Sequence, residues 1–290
     1  MGRYWRETGV KWVLAASSSV SIIVVLFIFI FLFREAAPFV HEPGLSGLIG
    51  GKWVPVSFQK EQFGIAPLVA GSVLITLMAT LLAVPFGVCA AIYIAEVARP
   101  SEREILKPVV ELLAAIPSVV LGFFGLVALA PIVKWMFGLP TGLTGLTGAL
   151  LLALMAIPTI VSISEDAIRS VPRSYREASL ALGASEMQTI WRVTAPAALS
   201  GIVAAVMLGM GRVIGETMAV LMVTGNAAIV TLSPFDSMRT MTATIAAEMG
   251  EVTYGSRHYQ ALFWVGILLL LATFILNMIA QRALRKYRRA

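Results

Sequence analysis

Apolar residues run without a single charge through 13–33, 65–95, 112–133, 135–164 and 259–281. Each run reaches the ~20 residues that a helix needs to cross a bilayer. A sixth run, 197–223, is equally apolar except for Arg212 and Glu216. The pattern predicts an all-α integral membrane protein with six transmembrane helices. The first run exceeds the roughly 7–15 residues of a signal-peptide core, and no small-residue cleavage site follows it, so it is expected to stay as an anchor. The chain divides accordingly into an anchor helix with its following loop (1–66), a transmembrane domain (67–282) and a basic tail (283–290).

Three of the connecting segments are long. Residues 34–64 are rich in Gly and Pro and carry Trp53, Phe58 and Phe63, which suits an ordered cap or docking surface. Residues 224–258 end in a partly apolar stretch, 237–250, that reads as helical. Residues 165–196 form the third. Thr141 to Thr147 read as a glycine-rich turn into the fourth span.

Composition agrees with the pattern and excludes a soluble domain. The 290 residues are 58% apolar and 13% charged, against about 45–50% and about 25% in soluble domains. Mean hydropathy is +0.87. The net charge of +6 would suit nucleic acid only on a basic water-facing surface, and here the charges fall in islands between apolar runs. Those islands set topology instead, because Lys and Arg collect on the cytoplasmic side. With the N-terminus inside, the cytoplasmic islands hold Arg3, Arg6, Lys11, Arg99, Arg103, Lys107, Arg169, Arg173, Arg176, Arg192, Arg282, Arg285, Lys286, Arg288 and Arg289. The external loops hold only Arg34, Lys52, Lys60, Lys134, Arg239 and Arg257. Both termini are therefore expected in the cytoplasm. The one cysteine, Cys89, excludes an intrachain disulfide framework, a Cys-based zinc site and iron–sulfur ligation, and reads as a small buried apolar side chain. His41 and His258 read as solvated loop residues, and the 13 methionines suggest packing and no cofactor box.

The 165–196 loop carries the most specific signal. Pro172 and Ser174 suit a helix start with Glu177 near its first turn. Gly183 breaks that helix, and Ser185, Glu186 and Gln188 suit the start of another running toward Pro196. An ordinary amphipathic loop is the plain alternative. The spacing, however, resembles the cytoplasmic signature of the transmembrane subunits of bacterial ABC importers: E-A-A, three residues, Gly, nine residues, then I-x-L-P. Here it reads Glu177-Ala178-Ser179, then Gly183, then Val193-Thr194-Ala195-Pro196. The segments E-L-L-A-A-I-P-S-V-V-L-G-F-F-G-L (111–126), G-R-V-I-G-E-T-M-A-V (211–220) and A-L-F-W-V-G-I-L-L-L-L-A-T-F-I-L-N (261–277) resemble the permeases of the phosphate-specific importer. They are similar to its PstC-type rather than its PstA-type subunit.

That resemblance implies a type I, MetI-like permease fold in the bacterial cytoplasmic (inner) membrane. It implies that Glu177, Ala178 and Gly183 seat the loop in a groove of a separate ATPase subunit. It also implies a PstA-type second permease, two PstB-type ATPases and a periplasmic or lipid-anchored PstS-type phosphate-binding protein. The substrate comes from the resemblance alone. The chain has no G-x-x-x-x-G-K-[ST]; Gly50-Gly51-Lys52 is followed by Trp53. ATP is thus expected on partner chains, with no cofactor, metal or catalytic residue on this one. A permease for another oxyanion, sulfate or molybdate, and an ATP-independent anion transporter or channel remain as alternatives. An intramembrane enzyme would need a Ser/His dyad, paired aspartates or H-E-x-x-H, and the spans hold neither His nor Asp.

Arg212 and Glu216 are the candidates for the substrate path. On a continuous helix they share a face at i and i+4 and can pair. An Arg at a helix centre costs about 2.5–3.5 kcal/mol on insertion scales. At about 1.5 Å per residue from Pro196, Arg212 lies roughly 24 Å along its helix, too deep to reach the surface readily. A guanidinium binds a tetrahedral oxyanion through two prongs, and Glu216 is expected to neutralise it while the path is empty. The alternative is a structural ion pair between helices. Gly211 and Gly215 read as a helix-packing step, and Pro117 and Pro158 as kinks in the third and fourth spans.

Overall fold

The computed structural model describes residues 2–41, 44–57 and 60–287; Phe58 and, from the basic tail, Arg288 and Arg289 lie outside these. Thirteen α-helices follow in order: α1 (Gly2–Ala36), α2 (Ala66–Ile92), α3 (Pro100–Ala115), α4 (Ser118–Phe124), α5 (Ala130–Phe137), α6 (Gly145–Arg169), α7 (Arg173–Ala181), α8 (Glu186–Thr189), α9 (Ala195–Ala197), α10 (Leu199–Gly215), α11 (Met218–Val223), α12 (Met241–Glu248) and α13 (Arg257–Tyr287). The only strands among the described residues form a small hairpin, β1 (Trp53–Val54) antiparallel to β2 (Gln62–Phe63).

Among the described residues, five helical stretches are long and apolar enough to span a membrane: Val10–Val40, Ala66–Val97, Ser118–Phe137, Gly145–Arg169 and Arg257–Arg282. A sixth is the pair Glu186–Ala197 and Leu199–Gly215, bent by 68°. The six expected spans are therefore present, with shifted edges. Ile116 and Pro117 are extended, with ψ of 129° and 137°, because proline lacks an N–H and pushes the preceding residue out of the helical region. Residues 100–115 become a separate amphipathic helix. The third span runs on from Ser118 through a π-helical turn at Gly125–Leu129, and includes Lys134 to Phe137 before Gly138 ends it at φ +62°. The fourth span starts where the Thr144 hydroxyl accepts from the Thr147 N–H. Pro158 is buried inside an unbroken α6, which extends through Arg169, so residues 165–169 belong to this span rather than to the loop.

Helix α6 is the centre of the bundle. Gly87 of α2 and Gly209 of α10 both lie so close to Ile160 that a Cβ on either would clash with it. Two helices thus reach the same side chain by giving up theirs. Ile75, Leu151, Leu152, Met155, Val213, Val220 and Met238 complete this core. Helix α1 sits at the edge and touches α13 at one end, where Phe31 meets Phe263 edge-on at 5.6 Å and Trp264 Nε1 donates to the Ala36 carbonyl. Its remaining apolar surface is uncovered. The described residues of the 34–64 segment lie over α2 and α13, packing Phe39, Leu48, Trp53 and Phe63 against Leu68, Met241 and Leu262. Cys89 is exposed on α2, correcting the expectation of a buried thiol. Lipid and protein interior are both apolar, so composition alone does not separate them.

Candidate functional site

Helix α10 stops at Gly215. Glu216 turns to an extended conformation, φ −70° and ψ 129°, and α11 begins two residues later. This breaks the expected geometry: Arg212 and Glu216 do not share one continuous helix, and no ion pair joins them among the described residues. Three hydrogen bonds hold the break. Thr217 Oγ1 donates to the Gly215 carbonyl at 3.2 Å, Thr242 Oγ1 of α12 donates to the Glu216 carbonyl at 2.9 Å, and Glu216 Oε1 accepts from the Ala219 N–H at 3.2 Å. An unsatisfied backbone group in hydrocarbon costs several kcal/mol, so irregular backbone at that depth survives only when answered or facing a cavity. Glu216 therefore serves the start of α11 and not the guanidinium.

The Arg212 side chain is half-buried and forms no hydrogen bond or ion pair with the described residues. Around it, Leu208, Gly211, Gly215 and Met218 are exposed. A Cβ placed on Gly211 or Gly215 would meet nothing within 4 Å. The packing step expected at these glycines therefore has no partner among the described residues; the glycines of α10 that pack are Gly201, against Ala167, and Gly209, against Ile160. One face of α10 around an unpartnered arginine is left bare.

The second element is a knob at the opposite end of α10. Helix α7 closes with the Ala184 N–H on the Ser179 carbonyl and the Gly183 N–H on the Leu180 carbonyl, with Gly183 at φ +84°. This is a Schellman end, in which the residue after the cap adopts the left-handed region natural to glycine. Ser185 and Gln188 form a reciprocal capping box at the start of α8, and the Ser179 and Thr189 hydroxyls lie 2.9 Å apart. The two short helices joined at a glycine are present as expected. Glu177, Ala178 and Gly183 are exposed, and Leu182 projects at 90% exposure beside Tyr175, Leu180, Met187 and Trp191. Such a cluster of bare apolar side chains between charged ones marks a protein-contact surface. Near its base, Lys107 of α3 bridges Glu165 at 2.7 Å and Asp166 at 2.9 Å. Those two hydrogen bonds, Glu165 first, hold the Lys107 ammonium above its ordinary pKa.

A third cluster lies on the far side of the bundle. Glu248 of α12 accepts from Trp53 Nε1 at 3.0 Å, faces His258 Nε2 at 2.8 Å and pairs with Arg239, whose Nε also donates to the Asn226 carbonyl. His258, expected to be solvated, is instead mostly buried in this group; His41 is exposed as expected. Burial alone would raise the Glu248 carboxyl. Hydrogen bonds from His258 and Trp53 and the Arg239 charge outweigh it and hold the group below its ordinary value. Nothing local signals this hub, since its four members come from the cap hairpin, the segment before α12, α12 and the start of α13.

Residues 83–289 match the family described as the binding-protein-dependent transport system inner membrane component. A probable ABC transporter permease, YqgH, of Bacillus subtilis is 43% identical over 223 residues, spanning 77% of this chain and 72% of that one. The phosphate transport system permease protein PstC of Mesorhizobium japonicum is 36% identical over 263 residues, spanning 84% and 79%. Among solved structures, a chain of a bacterial alginate ABC transporter superposes with a TM-score of 0.66 at 17% identity, covering 97% of each chain. A chain of the inward-facing MetNI methionine ABC transporter gives 0.59 at 20%, covering 85% of this chain and 98% of the other. The six-span helical bundle, the spacing of its knob and these relatives agree, and the chain belongs to the binding-protein-dependent transport system inner membrane components, among the PstC-type permeases.

Proposed function

We propose that this protein is one of two permease subunits of an ATP-driven importer of inorganic phosphate. The observation that carries the substrate path is Arg212, a guanidinium with no partner among the described residues, on a bare face of α10 next to a helix break held by Thr242. A second permease, of PstA type, would cover that face and make a passage between the two subunits. The relatives named as phosphate transport permeases support phosphate as the anion. Arg212 offers an oxyanion a planar fork of donors, and Glu216, held by the α11 backbone, would set the local charge without cancelling the arginine. The knob would seat Glu177, Ala178 and the Gly183 turn in one of two PstB-type ATPase subunits, which bind the ATP. This side, carrying both termini, would face the cytoplasm. A PstS-type binding protein would deliver phosphate over the cap on the other side of a bacterial inner membrane. ATP-driven closure of the ATPases would move the knob and rock the spans.

The test is uptake of labelled phosphate by membranes containing the whole complex, with Arg212→Lys at matched expression. Lysine keeps the charge and loses the fork, so uptake should fall by about tenfold or more, the scale of a charged hydrogen bond worth roughly 1.5–3 kcal/mol. Co-purification of the partners should be unchanged. Normal uptake in the lysine variant would remove Arg212 from the path, and sulfate competing as well as phosphate would move the substrate to another oxyanion.

A further inference from the structure

The knob must act on the spans through something stiff, and its own helix is weakly held. Helix α7 buries none of its residues. Apart from chain connectivity and the Ser179–Thr189 contact to α8, its polar tie to the bundle is an ion pair between Arg176 and Glu96. The two partners differ sharply: the Glu96 side chain is 7% exposed and that of Arg176 43%. Glu96 sits in the π-helical turn Tyr93–Val97 that ends the second span. Glu186 lines the same small cavity under α7, but it is exposed, so Glu96 is the buried carboxylate facing Arg176.

The end of the second span is also held by α3 and by the packed core beside it. Arg103 of α3 donates to the Ile94 carbonyl at 2.9 Å and also to that of Ala95. Tyr93 donates to Glu102. Ala91, Ile92, Ile94 and Ala95 pack with Ile168 of α6, with Ile190, and with Ile202 of α10. The turn thus belongs to the same body as α6 and the root of the arginine-bearing helix. A buried carboxylate stripped of its cation is left as an uncompensated charge, so the pair resists opening when the knob is displaced. π-turns are frequent at functional positions in helices.

We propose that the Arg176–Glu96 pair is the strut that carries movement of the knob into the second span, with Glu96 a positioning residue for transport. This rests on reading the knob as the ATPase seat. The experiment uses the whole complex reconstituted in proteoliposomes with its ATPases and binding protein, and reads three quantities: phosphate uptake, ATP hydrolysis, and the ratio of ATPase to permease after purification. Glu96→Gln should cut uptake by about tenfold, within the range by which residues between two sites modulate coupling, while hydrolysis and the subunit ratio stay near those of the unaltered complex. Arg176→Lys keeps the cation and should retain most of the uptake. The exchange Glu96→Arg with Arg176→Glu should recover more uptake than either change alone allows. The strut is overturned if Glu96→Gln transports normally at matched membrane levels. It is equally overturned if uptake, hydrolysis and ATPase retention fall together, which would make the pair a mere scaffold of the knob. Failure of the parent reading looks different: the unaltered complex would show no ATP-dependent phosphate uptake, or would purify without ATPases.

Discussion

Two arginine–glutamate sets in this protein have opposite fates. Arg212 and Glu216 stand four residues apart, the spacing that favours pairing on a helix, and remain separate because Gly215 ends the helix between them. Arg239 and Glu248 stand nine residues apart with no such spacing, and they pair, with Trp53 and His258 completing the carboxylate's surroundings. The second set is closed: each charge finds its counterpart within the chain. The first is open: the carboxylate is used by the α11 backbone and the guanidinium by none of the described residues. Closed charge clusters inside a membrane protein hold elements together, whereas an open one is waiting for a ligand or a partner subunit.

The largest effect expected from this contrast is on stability. Glu248→Ala leaves Arg239 and His258 without their carboxylate and should destabilise the protein by about 3–5 kcal/mol, as when one side of a buried pair is removed. Arg212→Ala should shift stability by no more than about 0.5 kcal/mol, as for a substitution away from packed features, while abolishing phosphate uptake. Thermal unfolding in detergent compares the two; an Arg212→Ala protein as unstable as Glu248→Ala would erase the distinction. The acid limb sharpens it. The Glu248 carboxyl is held below its ordinary value of 4.5, so the unfolded chain takes up the proton first. The stabilisation is complete above that ordinary value and lost as pH falls through the lower folded one. Glu248→Gln should flatten unfolding between those limits, and Arg212→Lys should leave the acid limb as it is.

A smaller effect is expected at the knob. Gly183 has open space around it, so bulk is not its constraint; its φ of +84° is. Gly183→Ala should cost about 1–2 kcal/mol, the scale of placing an L-residue in the left-handed region. The cost should fall on the knob alone: reduced ATPase binding and transport, with unfolding of the spans little changed. Full ATPase retention in the alanine variant would show that the Schellman turn does not shape the docking surface.

The same contrast explains which parts were legible in the amino-acid order. The spans are local facts, since twenty apolar residues identify themselves, and so is the knob, whose glycine turn and Ser185–Gln188 box lie within a few residues. Edges moved where a charge lies inside a span: Lys134 is in the last turns of the third helix, and a charge-free criterion hands Trp135 to Phe137 to the next run. The break at Gly215 was hidden because 197–223 is apolar apart from Arg212 and Glu216 and one glycine costs a helix only about 1 kcal/mol. One of the contacts that hold the break comes from Thr242, twenty-six residues after Glu216. The Glu248 hub was hidden for the same reason, and His258 gave no sign of its partner. Pairings made by distant elements are properties of the fold and leave no local period.

The bare face of α10 provides the smallest effect and the sharpest comparison. Gly201 and Gly209 are pressed against Ala167 and Ile160, whereas Gly211 and Gly215 meet nothing, so the four glycines of α10 divide into filled contacts and empty positions. Within the isolated chain, Gly211→Ala should be stabilising by about 0.4–1 kcal/mol, because a helical position free of clashes gains from a less flexible unfolded chain. Gly209→Ala should be destabilising, since its Cβ would fall 2.7 Å from Ile160. If the second permease lies on this face, the order reverses on assembly: Gly211→Ala, harmless alone, should lower recovery of the two-permease complex, because small residues let helix backbones approach. Unfolding of the isolated subunit and co-purification of its partner measure the two halves of the prediction. Unimpaired assembly of the Gly211→Ala subunit would mean that the face beside Arg212 is turned to lipid or to the passage rather than to a packed helix.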